Sequence, residues 1–522
     1  MSLRIDQAER RALQPTPGVW LANRAAAFAD VAAAPYLYVA LLALMTLPVL
    51  IWPIPRSADI VNHWARLTLL TMSADDPLNA LYSVHFAIIP NLGLDLLYLA
   101  LSPVLSAQSV ARLGWALSFW LPAFGAWRLH RALFAKPQVT ILLVPLISYN
   151  LVVTAGLVNY GFGMGLALLA LAWRVNSDRK RIWRCLVVLN LVSVALLLCH
   201  ALALLGFCVA FGLWELARGR GESWRVAAMR GLLSPLYVAL GIGMLALSER
   251  SPSGFALVGQ KSRIVTAPFQ AMTEYDLVFA LAIAGLLLVA RLSRRLSLAP
   301  AMMWPLLGFA AFVVVVPSAW GAANLIDARL SVFAAHLALA ALASEWRGRP
   351  ARLLAVLIAL VAVARIASVA PDWARFEANA ATLRSAFAAI PRGARVLVVR
   401  PPGGVCSDPD LPMLSNLSTL AVIDRRAGVN SLFADSGMQP IRPRDEALAG
   451  APKIAISSAW LTPVGRAPLG ESAGEPWAQA YVHWREHFDM VVAMHGRCAF
   501  ALDIPGLDRI AASPLADVYN IR

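Results

Sequence analysis

Uncharged apolar runs recur along the first 370 residues: Tyr36–Ile54, Ile141–Leu157, Leu186–Leu198, Phe279–Ala290, Leu306–Val316 and Leu353–Val363. As helices they span, or nearly span, a hydrocarbon core about 30 Å thick, which takes about 20 helical residues. Met1–Ala34 is polar and Arg-rich. The first run lacks a small-residue cleavage site and ends in Trp52-Pro53-Ile54-Pro55, so it reads as an uncleaved first span rather than a signal peptide. Past residue 370 the pattern changes. Short β-like runs stand at Arg395–Arg400, Thr419–Asp424, Lys453–Ser457 and Phe488–His495, separated by Pro- and Gly-rich turns. A small α/β domain of about 130 residues is expected there, enough for a core of its own.

Composition fits a membrane protein. Of 522 residues, 59% are hydrophobic and 14% charged, with a mean hydropathy of +0.65. Charge then sets the topology. Residues 1–370 hold 30 Lys+Arg against 15 Asp+Glu, and residues 371–522 hold 15 against 15, so the whole net charge of +15 belongs to the apolar part. The excess lies in short loops: the N-terminal segment, Arg128–Lys136, Arg174–Arg184, Arg218–Arg230, Arg291–Arg295 and Arg347–Arg352. That distribution argues against nucleic acid as the partner of so basic a chain. Placing these loops in the cytoplasm predicts about eleven transmembrane helices, N-terminus in and C-terminus out. The spans fall near 35–54, 108–128, 138–157, 160–174, 184–200, 201–217, 229–247, 276–291, 299–317, 329–346 and 352–370. Leu92–Leu105 must then not cross, or Arg128–Lys136 would fall outside. The expected organisation is a cytoplasmic segment 1–34, a transmembrane domain 35–370 with a periplasmic first loop 56–91, and a periplasmic domain 371–522.

The segment Ser57–Leu70, SADIVNHWARLTLL, follows the first span. As a helix at the membrane surface, it places Asp59, Asn62, His63 and Arg66 at i, i+3, i+4 and i+7 on one face. Leu67, Leu69 and Leu70 then lie against lipid or neighbouring spans, and Ser57 is the expected N-cap. The plainer reading is an amphipathic interfacial helix with a solvated face. An acid, an amide, an imidazole and a guanidinium together point instead to chemistry.

This layout resembles the GT-C superfamily of polyprenyl-phosphate-dependent glycosyltransferases: a first span from the inside, a long external loop opening on a juxtamembrane acid, about a dozen spans and a C-terminal α/β domain. The stretch Asp59-x-x-Asn62-His63-x-x-Arg66 resembles the first-loop motif of bacterial members. The hairpin Leu197–Phe207, with His200 at its turn, resembles another of their features. One acid stands here instead of an Asp-Glu or Asp-x-Asp pair; the resemblance thus leaves a divalent metal compatible but unassigned. It implies a bacterial inner-membrane enzyme moving a sugar from a polyprenyl-phosphate donor to an envelope glycan or lipid acceptor at the periplasmic face. Asp59 is then the general base, because a carboxylate at the membrane edge has its pKa raised toward working pH. His63 orients Asp59 or the acceptor, and Arg66 pairs with Asp59 or with phosphate. The topology leaves Arg250, Lys261, Arg263 and Arg329, beside Arg56, as outer-face cations for the leaving phosphate. Asp327 opens a span next to Arg329, and Asn62 and His200 complete the substrate-binding set.

Each has a plainer reading: loop charges for Arg250, Lys261 and Arg263, an interfacial pair for Asp327 and Arg329, a structural hydrogen bond for His200. Two other function classes share the pattern. One is a non-catalytic glycan-lipid transporter or accessory subunit of an envelope assembly; the other is a polysaccharide polymerase or ligase. No Walker A loop, His-Glu-x-x-His or Cys-x-x-Cys is present. Gly161-Phe-Gly-Met-Gly165 sits in an apolar run and is expected to serve helix packing. Cys406 and Cys498, the two tail cysteines, become a disulfide if folding brings them together in an oxidising compartment.

Overall fold

A computed structural model describes residues 35–522, apart from 135, 178–181, 219–222, 250–254, 257–260, 321–322, 435–436, 452 and 463–481. The chain is mostly helical, with one principal sheet near its C-terminus. Four helices are long and apolar enough to cross a membrane: Val158–Asn176, Ile182–Cys199, Trp224–Leu247 and Arg349–Phe387. Shorter apolar helices occupy Pro35–Ile51, Val139–Ala155, Ala201–Ala217 and Pro300–Val315. By length and composition the count is therefore four, against the expected eleven or so. The reasons are local. Val139–Ala155 is broken into two 3-10 turns and a short helix, which begins where Asn150 accepts hydrogen bonds from the Val152 and Val153 amides. Ile326–Ala340 has only 15 residues. Ala107–Phe134 is long enough, with 28 residues, but carries Pro122 and several basic and polar side chains. Large apolar side chains such as Leu191, Leu232, Leu277 and Leu360 face outward, as a lipid-facing surface requires and a water-facing one rarely tolerates.

Gly93–Leu101 is a nine-residue helix, about 14 Å long at 1.5 Å per residue and too short to cross. Ala107–Phe134 and Val158–Asn176 pack closely. A Cβ at Gly161 would lie 2.6 Å from the Ser118 carbonyl oxygen, and one at Gly165 would lie 2.5 Å from the Leu121 carbonyl carbon. The three-glycine run is thus a packing surface.

Arg349–Phe387 is one helix of 39 residues, about 58 Å long. It leaves the apolar bundle and continues as a shaft against the C-terminal sheet. Inside the bundle its buried Arg365 pairs with Asp276 at 2.9 Å and donates to the Phe269 carbonyl at 2.6 Å. The sheet runs in the order Ile456–Ser457, Arg395–Arg400, Met490–Met494, Ala516–Ile521, Leu507–Ala512, and Gly428–Val429 adds to Arg395–Arg400. Its central pair is parallel, and both strands are buried on consecutive residues, the pattern of a sheet covered on both faces.

Thr419–Asp424, expected as a strand, is helix Leu420–Arg425 instead. Over a wider window the apolar positions Met413, Leu414, Leu417, Leu420 and Ala421 fall at helical spacing. Cys406 and Cys498 form a disulfide, their Cα atoms 5.7 Å apart.

The helix after the first apolar helix is Ile60–Leu70. It is not a surface helix with a solvated face. Every residue from Ile60 to Leu67 is buried, because the C-terminal domain covers the side that water was expected to take. Tyr82–Val84 of the first loop pairs antiparallel with Ile441–Pro443. The guanidinium of Arg384, on the shaft, stacks over Trp64 at 5.4 Å.

Candidate functional site

The chain enters the helix Ile60–Leu70 by running along a turn. The Ala58 and Asp59 amides donate to the Thr154 and Ala155 carbonyls at 3.0 and 3.1 Å. Gly156 closes that turn at φ +80°, where a Cβ would also lie 2.6 Å from Ser57 Oγ and 2.9 Å from the Asp59 nitrogen. Only glycine meets both demands. Asp59 occupies the N-cap position in place of Ser57, without a side-chain cap bond.

One turn on, His63 Nε2 donates to the Gly156 carbonyl at 3.0 Å. The carbonyl can only accept, so the ring carries its hydrogen on Nε2 and leaves Nδ1 as an acceptor, buried and unpartnered. Burial, helped by the charge of Arg66, lowers its pKa to about 3, so His63 is a neutral imidazole that holds the turn against the helix.

Asp59 is half-buried. Burial raises its pKa to about 7, against the opposing pull of Arg329 and Arg66. The Asn416 amide reaches its Oδ1 at 3.5 Å and donates to the Ala58 carbonyl at 3.0 Å. Among the described residues no cation lies close enough to form an ion pair with this carboxylate.

Arg329, in helix Ile326–Ala340, is buried, and its Nη1 lies 3.0 Å from His200 Nε2. His200 caps helix Ala201–Ala217, its Nδ1 accepting from the Leu202 amide at 3.1 Å. A neutral imidazole can accept at one nitrogen only, so His200 faces more donors than it can serve. Tyr160 lies edge-on to His200 at 5.6 Å and donates to the Arg329 carbonyl at 3.0 Å. Arg329 Nε is buried without a partner, and no carboxylate pairs with this guanidinium among the described residues.

No family model, characterised protein or solved structure matches this chain. The reading of the site therefore rests on its geometry.

That geometry brings Asp59, His63, His200 and Arg329 to one end of the bundle and separates the rest. Arg66 does not face Asp59 or an open phosphate site: its Nε and Nη2 grip Asp95 at 2.7 and 2.9 Å, its Nη1 reaches Gln439, and it is 1% exposed. Asn62 is a docking residue: its amide donates to the Ser431 carbonyl at 3.2 Å and accepts from the Phe433 amide at 2.8 Å. Lys261 and Asp327 pair at 3.0 Å, Lys261 also donating to the Val316 carbonyl and Asp327 accepting from Ser318. They clamp two loops together, with their polar atoms already engaged. Arg263 is exposed on the short helix Arg263–Thr266, and Arg250 lies outside the described residues. Arg56 is drawn to Asp410 at 3.6 Å and the Ala271 carbonyl at 3.2 Å.

The sequence pattern gives the Gly156–Tyr160 turn an outer-face position without assigning it a role, and it leaves Asp95, Asn416 and Gln439 without any. Asp95 left a signal, as the one acid inside an otherwise uncharged apolar stretch. Among the described residues no group of three or more His, Cys, Asp or Glu side chains is placed to hold a metal ion.

Proposed function

We propose that this chain is a multi-pass membrane glycosyltransferase of GT-C type that moves a sugar from a polyprenyl-phosphate donor to an envelope acceptor at the outer face of the bacterial inner membrane. The observation that carries the reading is a half-buried carboxylate with a raised pKa within electrostatic reach of a buried arginine that forms no ion pair among the described residues. A buried guanidinium with no direct ion-pair partner is costly, and a phosphate at that position supplies one. Asp59, titrating near 7, has the basicity a general base needs near neutral pH.

In the proposed reaction Asp59 takes the proton from an acceptor hydroxyl, and that oxygen bonds to the anomeric carbon. The bond from that carbon to the phosphate oxygen breaks, and polyprenyl phosphate leaves with the bonding pair. Arg329 neutralises the charge developing on it. His63 holds the turn that sets the height of Asp59, and His200, already accepting from the Leu202 amide, leaves the facing Arg329 donor in need of an acceptor.

The crossing scheme belongs to the same proposal. Helical segments occupy all eleven expected positions, the short ones included, and both Asp59 and Arg329 then lie at the outer ends of spans. Polyprenyl-phosphate binding to the purified protein, followed by native mass spectrometry, tests the donor assignment. Wild-type protein should retain the lipid and Arg329→Ala should lose it. Equal retention by both would remove Arg329 from the phosphate site.

A further inference from the structure

Asp59 is held from two sides. On one, the Ala58 and Asp59 amides are fixed on the Thr154 and Ala155 carbonyls of the apolar bundle. The other side belongs to the C-terminal domain. Asn416 Nδ2 donates to the Ala58 carbonyl at 3.0 Å and lies 3.5 Å from Asp59 Oδ1, while Arg56 lies 3.6 Å from Asp410. Asp410 and Asn416 stand at the two ends of one short helix, Leu411–Asn416, with Asp410 as its N-cap residue. That helix lies along the segment from Arg56 to Asp59 as a brace.

Its side chains Leu411, Met413 and Leu414 are buried. Past its last turn Ser418 Oγ meets Ser431 Oγ at 2.7 Å, and the Ser431 carbonyl accepts from Asn62. The entry end is different. Gly403, Gly404, Val405, Ser407 and Pro409 are exposed, so the chain reaches Asp410 through an open loop. Two ties fasten that loop. One is the Cys406–Cys498 bridge. The other is the Asp408 carboxylate, which accepts from the Arg497 amide at 3.0 Å and the Asp410 amide at 2.9 Å. Without the bridge, the entry end keeps only these hydrogen bonds and the long approaches of Arg56 and Arg497 to Asp410 at 3.6 and 4.0 Å. Both cysteines are part-buried among exposed Val405, Ser407, Arg497 and Ala499, within reach of a small thiol.

We infer that Asn416 is a positioning residue for Asp59 and that the Cys406–Cys498 bridge sets it, so that the candidate base is held in place only in the oxidised chain. Its catalytic meaning rests on the glycosyl-transfer reading; the brace itself does not. Asn416 fixes the backbone just before Asp59 through the Ala58 carbonyl, and its N–H favours the charged form of the carboxylate. Arg329 and Arg66 act on the same carboxylate from the bundle and from its own helix, so Asn416 is the contribution of the C-terminal domain.

The test uses the full chain in nanodiscs, with and without dithiothreitol. One thiolate of the reagent bonds to a cysteine sulfur and displaces the other cysteine as thiolate. Its second thiolate then displaces the first, leaving two protein thiols and the cyclic disulfide of the reagent. Hydrogen exchange read by mass spectrometry should rise severalfold over residues 408–416 and in the peptide holding Ala58 and Asp59, while strands Arg395–Arg400 and Met490–Met494 stay protected. The double variant Cys406→Ser, Cys498→Ser should show the raised exchange without reagent and no response to it. The infrared C=O band of protonated Asp59, identified by its loss in Asp59→Asn, reads the titration midpoint. Asn416→Leu keeps the bulk and removes the donor, so with the bridge intact the midpoint should rise by about half a pH unit, the share of one modest hydrogen bond. Asn416→Asp, isosteric and polar, should raise it further by placing a like charge there. Exchange unchanged by reduction, or a midpoint unmoved in both folded Asn416 variants, would overturn the inference. Cells separate it from its premise. If Asp59→Asn restores the glycan while exchange and midpoint behave as stated, the transferase reading falls and the brace stands. If Asp59→Asn is inactive and neither exchange nor midpoint moves, the brace falls and the transferase reading stands.

Discussion

Arg66 and Asp95 form a two-pronged ion pair, 2.7 and 2.9 Å, with exposures of 1% and 0%. It joins helix Ile60–Leu70 to the nine-residue helix Gly93–Leu101. Gln439 adds a third contact from the C-terminal domain.

Breaking a buried pair by removing one partner leaves an uncompensated charge and typically costs about 3–5 kcal/mol. Asp95→Ala should therefore lower the melting temperature and the yield of folded protein, and Arg66→Ala should do the same. Arg66→Lys should rescue little, because an ammonium cannot reproduce the fork. Detergent-solubilised protein followed by fluorescence-detected size exclusion measures this. Normal melting of Asp95→Ala would show that Arg66 is free for another role.

This pair also shows what the sequence could not reveal. Apolar runs, the polar face of Ile60–Leu70 and the parallel core of the C-terminal sheet are local patterns, legible from spacing alone. Counter-ions are not local. Arg66 meets Asp95 across 29 residues and Arg365 meets Asp276 across 89. Arg66 looked available for phosphate only because its partner was invisible. The burial of the Asp59 helix depends on a domain more than 300 residues away, through contacts such as Asn62 with Phe433. Thr419–Asp424 misled because six residues cannot separate a short strand from the end of a helical run.

The pKa of Asp59 sets a pH dependence. Its carboxyl titrates near 7 in the folded chain against 3.8 as a free side chain. The base form dominates only above about pH 7, so kcat/KM should rise with pH up to that point, about tenfold per unit on the acid side. Arg329 holds the value down, so Arg329→Ala should move the limb to higher pH while lowering the plateau. The stability sign is the reverse. Between pH 3.8 and 7 the folded chain binds the extra proton, so this group's contribution to stability falls as pH rises through that window and stays lost above it. Asp59→Asn should therefore melt higher than wild type at pH 8 and no higher at pH 4. A wild-type limb near pH 4 would contradict the burial of Asp59.

Cys406 and Cys498 are 92 residues apart in the chain. Closing a loop of that length removes about 4–5 kcal/mol of unfolded-chain entropy. Non-reducing peptide mapping should find the bridge in protein isolated from an oxidising compartment. Cys406→Ser should lower the melting temperature of the C-terminal domain, and added reductant should lower wild type to match. Two free thiols in the isolated protein would contradict the pairing.

The most direct test of the central claim is the turnover of Asp59→Asn, measured in cells as the envelope glycan or glycolipid lost on deletion and restored by the variant. Asparagine is nearly isosteric, keeps a polar group beside Asn416 and removes only the basic carboxylate, so the protein should fold, insert and hold its lipid donor. Loss of a positioned base costs roughly 10²–10⁴-fold in rate, and the product should fall to the level of the deletion. Full restoration by Asp59→Asn at normal protein level would contradict the account and leave a transporter or scaffold in its place.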